Sequence, residues 1–139
     1  MLELGSLEKA IASLKAGLER VHNQELMAQL DEGSRQLMQA GIIQNFEFTY
    51  ELCWKFIKRW LENNLGSVYV DGISRKELFR IAAENLLITD VKAWWAYHEA
   101  RNKTSHIYDQ KVAAEIFASA EKFYADAEAL YQAIKDRND

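Results

Sequence analysis

Phe46-Glu47-Phe48-Thr49-Tyr50-Glu51-Leu52-Cys53-Trp54-Lys55-Phe56-Ile57-Lys58-Arg59-Trp60-Leu61 is the densest aromatic stretch of the chain, and its periodicity decides the fold. At 100° per residue its apolar side chains sweep roughly 240° of a helical wheel, against the roughly 100° that one packed face requires. A helix of this kind is covered on two sides: it is either the centre of a bundle or it meets a second copy of the chain. A homodimer is the favoured expectation. Phe48, Leu52 and Phe56, spaced four apart, are the contact residues expected for that copy or for another partner. The remaining sector carries Glu47, Glu51, Lys55, Lys58 and Glu62, and the spacing of Glu51 and Lys55 suits an ordinary ion pair within the helix.

Outward from this stretch the chain stays helical. The central helix is expected over Ser34 to Asn64, with Asp31 or Ser34 as its cap and Asn63, Asn64 and Gly66 as its stop. Before it, Leu7, Ile11, Leu14, Leu18 and Val21 recur at spacings of four and three behind a candidate cap at Ser6, and polar residues from His22 to Ser34 form the first turn. After it, Val68 to Gly72 is a connection that could pair as a short strand. Ser74-Arg75-Lys76-Glu77 has capping-box spacing and opens a short helix. Asp90 caps the next, which carries Val91, Trp94, Trp95 and His98. Asp109 starts the last, striped by Val112, Ile116, Ala120, Phe123, Ala127, Leu130 and Ile134. The expected fold is all-α, an up-and-down bundle of four or five helices in one domain over residues 1–139.

Composition agrees. There is no proline and there are only six glycines, so strong helix breakers are few. A hydrophobic share of 49% and a charged share of 27% describe a chain able to bury a core. No run approaches the roughly 18 apolar residues of a membrane span, and the first residues lack a secretory signature, so a cytoplasmic protein without membrane contact is expected. Cys53 is the only cysteine, which excludes an internal disulfide and reads as a small buried hydrophobe. The net charge of −4 argues against coating nucleic acid by bulk electrostatics. Residues 55–111 nevertheless hold ten Lys or Arg against seven Asp or Glu, so an anionic ligand should prefer the middle of the chain.

The templates of phosphate loops, zinc proteases, serine hydrolases and calcium loops are all missing. The three histidines, His22, His98 and His106, do not form a metal-ligand pattern, and no metal or cofactor is expected. Chemistry concentrates in Arg101-Asn102-Lys103-Thr104-Ser105-His106-Ile107-Tyr108, where helix propensity falls away. A loosened helix end would let Arg101 and His106 converge on one anion, the guanidinium as a planar fork and the imidazole as a proton carrier near neutral pH. Asn102 and His106 share a face at i and i+4. Cleaving RNA through its own 2′-hydroxyl needs no metal, but it needs an acid and a base. Each chain supplies one strong candidate, His106, so a two-fold dimer would supply both. Alternatively, Arg101 and His106 cap a helix end and pair with Glu99 or Asp109.

Arg101 and His106, four residues apart, with Tyr108 two residues further, resemble the Arg-x4-His-x-Tyr signature of HEPN domains of the HepT toxin type. Phe46 to Lys55 is similar to the helix signature of the branch called nucleotidyltransferase substrate-binding proteins, and the two motifs stand in that family's order. The resemblance covers nearly the whole chain apart from residues 22–40. It implies a HEPN-like dimeric bundle whose two copies of Arg101 and His106 face one cleft. It also implies metal-independent ribonuclease activity assisted by Asn102, with RNA rather than DNA as substrate. In a toxin-antitoxin module of this type, a minimal nucleotidyltransferase, the MntA-like antitoxin, silences the toxin by adenylylating the tyrosine, here Tyr108. The alternative is a non-catalytic partner that docks such a nucleotidyltransferase.

Overall fold

The computed structural model describes residues 1–138. Six α-helices follow one another: α1 (Gly5–His22), α2 (Gln24–Ala28), α3 (Glu32–Leu65), α4 (Arg75–Glu84), α5 (Val91–Asn102) and α6 (Gln110–Asp136). Two 3-10 turns, Ser67–Tyr69 and Thr104–His106, join α3 to α4 and α5 to α6. No strand occurs among the described residues. The Val68 to Gly72 segment coils as a turn instead, because Gly66 at φ 104° reverses the chain and Val70 and Asp71 then donate their amides to the Ser67 carbonyl.

The caps explain where the helices start. Asp31 accepts from the Ser34 amide, Ser74 from Glu77 and Asp90 from Ala93, each satisfying an otherwise orphaned N–H. Asp109 takes the amides of Lys111 and Val112. The box at Ser74 is half made, since the Glu77 carboxylate turns away to Arg80 at 3.1 Å. Helix α1 begins ahead of Ser6: Leu4 precedes its first turn and gives no side-chain cap. Leu2 and Leu4 pack on the core, and the Leu2 backbone exchanges two 2.9 Å hydrogen bonds with the Asn138 amide, tying the two ends together.

Helix α3 is central, touching α1, α4, α5 and α6. Contacts of Ala10 with Thr49, Ser13 with Asn45 and Gly17 with Ile42 show that α1 and α3 run antiparallel. At Gly17 an added Cβ would meet Ile42 at 3.0 Å, so the two helices approach closely there. Contacts of Trp94 with Phe123 and of Tyr97 with Asp126 set α5 against α6. The wide apolar arc of α3 is therefore largely covered within the protomer by α1 on one side and α5 and α6 on the other. Phe123 is the aromatic hub, with Phe46 and Tyr97 edge-on at 5.1 Å each. The α6 stripe is as expected except that Ala113 is buried and Val112 only half-buried.

That coverage corrects one expectation. Phe56 is 1% exposed, packed in the protomer's own core, and cannot be a contact residue for another chain. Phe48 is 43% exposed and Leu52 half-buried. Cys53 is fully buried, and burial pushes its thiol pKa up. No described helix is long and apolar enough to cross a membrane.

Candidate functional site

The end of α5 and the turn after it hold the Arg-x4-His-x-Tyr residues. Asn102 closes α5, whose carbonyls at Ala100 and Arg101 are taken by the Lys103 amide. The 3-10 turn follows because Asn, Thr, Ser and His are poor helix interior residues and the Thr104 hydroxyl bonds back to the Arg101 carbonyl at 2.9 Å. Asp109 then restarts the chain as α6.

Arg101 does not reach toward His106 or pair with Glu99 or Asp109. Its Nε donates to Glu51 at 2.8 Å, its second terminal nitrogen lies 3.5 Å from Glu47, and the first lies 3.4 Å from the Thr104 hydroxyl. The expected Glu51 to Lys55 pair is replaced by this link to a residue fifty positions away. Trp54 Nε1 also donates to Glu51, at 2.9 Å. Burial alone would raise the Glu51 carboxyl, but the bonds from Trp54 and Arg101 outweigh it and hold it below the ordinary carboxylate range. Arg101 keeps 30% of its side chain exposed, so the triad of one guanidinium and two carboxylates is half-buried and carries one net negative charge.

Asn102 belongs to a second network. Its Nδ2 lies 3.3 Å from His98 Nε2, His98 Nδ1 lies 2.8 Å from the Tyr50 hydroxyl, and that hydroxyl accepts from Arg75 at 3.4 Å. With Nε2 accepting from Asn102, the ring proton sits on Nδ1 and is donated to Tyr50. Burial lowers the His98 pKa and the Arg75 charge lowers it further, both favouring the neutral ring that this arrangement needs. Burial pushes the Tyr50 phenol up.

His106 and Tyr108 lie outside both networks. Both are exposed, Tyr108 to 81%, and the side-chain contact between them is the 3.4 Å approach of the Tyr108 hydroxyl to His106 Nδ1. The Tyr108 ring also lines a shallow cleft of about 180 Å³ between α3 and the start of α6, with Gln36, Gln39 and Ile43. Among the described residues no three His, Cys, Asp or Glu side chains gather as a metal site.

The structure thus divides the residues singled out from the sequence. Arg101 is built into the bundle and Asn102, itself exposed, is tied to it through His98, while His106 and Tyr108 are displayed on its surface. Sequence reading missed Tyr50 and Arg75 and the site roles of Glu47, Glu51 and His98. For Glu47 and Glu51 the available signal was their shared face on a helix with two covered sides; for His98 it was the i, i+4 spacing to Asn102.

Residues 2–136 match the family described as nucleotidyltransferase substrate binding protein like. A curated relative from Haemophilus influenzae named probable ribonuclease HepT is 32% identical over 138 residues, 99% of this chain and 94% of that protein. A solved structure from Haemophilus influenzae, described as the fold of a substrate-binding domain of a nucleotidyltransferase, superposes with a TM-score of 0.92 at 30% identity, covering 96% of this chain and 99% of the other. A crystal structure from Thermus thermophilus gives a TM-score of 0.73 at 25% identity over 92% of this chain and 98% of its own.

Proposed function

The chain belongs to the nucleotidyltransferase substrate-binding protein-like family, and from that membership we propose that it is the ribonuclease toxin of a two-protein module whose antitoxin is a minimal nucleotidyltransferase. The observation that carries the reading is the exposed pair of His106 and Tyr108, an imidazole and a phenol 3.4 Å apart immediately after Arg101 and Asn102. The name of the Haemophilus influenzae relative points the same way.

In this reading two protomers join so that two copies of His106 face one RNA strand. One imidazole takes the 2′-hydroxyl proton as that oxygen attacks phosphorus. The bond to the 5′-oxygen breaks and the second imidazole protonates it, leaving a 2′,3′-cyclic phosphate and a 5′-hydroxyl. Arg101 steadies the phosphate only by exchanging its looser partner, Glu47 at 3.5 Å, for a phosphate oxygen, while Glu51 keeps hold of Nε. Asn102 supplies an amide beside it. Silencing runs through Tyr108: its oxygen attacks the α-phosphorus of ATP in the partner's site, pyrophosphate leaves, and the bulky anionic adduct stands next to His106 and repels substrate.

A second reading is favoured by the Arg101 ion pairs themselves. A guanidinium shared by two carboxylates is a strut rather than an anion trap, which suits a non-catalytic partner that only presents Tyr108 to a nucleotidyltransferase. Two measurements separate the readings. The purified protein in EDTA is expected to cut single-stranded RNA to cyclic-phosphate ends, and intact RNA would leave the partner reading standing. With ATP, magnesium and a nucleotidyltransferase encoded beside it, the intact mass is expected to rise by AMP units, and Tyr108→Phe to prevent the rise; an unmodified wild-type protein contradicts both readings of Tyr108.

A further inference from the structure

The basic middle of the sequence is not used up by the Arg101 region. Two of its cations, Lys58 on α3 and Arg75 at the start of α4, line one cavity of about 260 Å³ with Trp54, Val70, Gly72, Ile73, Ser74 and Leu78. No carboxylate lines it, and neither cation forms an ion pair among the described residues, although Glu51, Glu62 and Asp71 are close in sequence or space. Glu51 feels the Arg75 charge, but its oxygens are engaged by Arg101 and Trp54.

Arg75 is also preorganised. Its guanidinium carbon lies 3.5 Å from the centre of the Trp54 ring, and one terminal nitrogen donates to Tyr50, so few rotamers remain to be lost on binding. The other donors remain available. Beside it the first amides of α4 lack intrahelical partners, and Ser74 accepts from Glu77 with its oxygen, which leaves its own proton free.

Resting on the reading that RNA is the substrate, we propose that this cavity is a second phosphate subsite, taking a phosphodiester of the RNA strand several nucleotides away from the one at His106, with Lys58 and Arg75 as its two charges. From the Arg101 end of the motif a row of touching groups leads to the cavity: Arg101 to Glu51, Glu51 to Trp54, Trp54 to Arg75. The subsite resolves an electrostatic difficulty. The Arg101 triad is net negative and attracts a polyanion poorly, so the attraction that brings RNA to this face comes from the neighbouring cavity, which has two positive charges and no acid.

The test is binding of a short fluorescein-labelled single-stranded RNA whose riboses are 2′-O-methylated and therefore uncleavable, measured by anisotropy across a salt series. Each single-strand phosphate contact contributes about 0.7 to the slope of log affinity against log salt. Lys58→Gln and Arg75→Gln are each expected to weaken binding and flatten the slope by about that amount, and the double variant by about twice it. Lys122→Gln on the exposed face of α6, an equal loss of charge, serves as the control. Lys58, unlike Arg75, makes no hydrogen bond, ion pair or cation–π contact among the described residues, so Lys58→Gln remains informative if Arg75→Gln disturbs the fold. Slopes that fall no further than in Lys122→Gln overturn the subsite. Inorganic phosphate is the second probe: shifts of the Trp54 indole resonance at millimolar phosphate, lost in Lys58→Gln, mark a site that also takes the free anion, whereas RNA-only shifts mark one that needs the chain. A protein that binds with the expected slopes yet never cuts unmodified RNA keeps the subsite and loses the ribonuclease reading, and cutting with unaltered slopes does the reverse.

Discussion

Arg101 with Asn102, and His106 with Tyr108, stand within eight residues of one another and live in different physical worlds. The first pair closes α5 and is held by side chains of α3 and by a histidine one turn back. The second sits on a solvent-facing turn with a single side-chain contact between its own members. A short motif is thus split between a part tied to neighbouring helix side chains and a part that the fold only displays. Substitutions in the two halves should therefore fail differently.

The largest expected effect tests the displayed half. His106→Ala should lower the rate of RNA cleavage by about 10²- to 10⁴-fold, the usual contribution of a positioned general acid or base. Its thermal midpoint should not move, because an exposed side chain with one long contact contributes within about 0.5 kcal/mol to stability. Cleavage kinetics beside a melting curve decide the matter. A destabilised His106→Ala protein would show that the turn is part of the core's cooperative unit and erase the contrast.

Next in size is the built half. Arg101→Ala leaves Glu47 and Glu51 facing each other half-buried without their shared cation, a loss of about 1–2 kcal/mol of folding stability, since the partners are partly solvated and screened. Glu51→Gln should cost less, because the single Gln oxygen still accepts from one of the two donors, Trp54 or Arg101, that the carboxylate meets with separate oxygens. The two changes should be non-additive in a double-mutant cycle followed by urea unfolding. Additive values would mean that the 2.8 Å contact contributes nothing measurable and that Arg101 is free to serve an anion alone.

The same split explains what could be read before the structure. Helix positions were legible because single residues report locally: Asp31, Ser74, Asp90 and Asp109 each cap a helix within three residues of themselves, and the stripe from Ile116 to Ile134 repeats the helical period. The site was legible as a list of residues but not as a geometry. Nothing local distinguishes Glu51 pairing with Lys55 four residues on from Glu51 pairing with Arg101 across the bundle; the choice depends on α5 lying antiparallel to α3, which brings residue 98 beside 50 and residue 101 beside 47 and 51. Phe56 failed for a related reason. An arc of roughly 240° says that two sides are covered, but which covering belongs to the protomer depends on where α1, α4 and α6 pack. Ser6 misled because the N-terminal leucines find core contacts and draw the helix start one residue ahead of it.

The smallest expected effect concerns acid, and it places the two networks of the built half in separate pH windows. His98 is held below its ordinary value of 6.5 by burial first and then by Arg75. It faces Tyr50 and Glu51 from α3, Arg75 from α4, and Glu99 and Arg101 along α5. A folded pKa below the unfolded one means that the unfolded chain binds the proton more readily, so the stability associated with neutral His98 is present above about 6.5 and is lost as pH falls through the folded value. Glu51 obeys the same sign lower down: its contribution is complete above its ordinary 4.5 and goes as pH falls through its depressed value. Urea midpoints of the wild type should accordingly decline in two stages on acidification. His98→Gln should remove the upper stage and spare the lower, while Glu51→Gln should do the opposite. The upper stage has a further consequence for the site, because a protonated His98 can no longer accept from Asn102 at Nε2, so the amide must turn or let go before the bundle itself yields. A wild-type midpoint that is flat between neutrality and the carboxylate range would show that His98 is solvated in the folded chain and that Asn102 is as loosely held as Tyr108, which would move the boundary between the two halves of the motif from after Asn102 to before it.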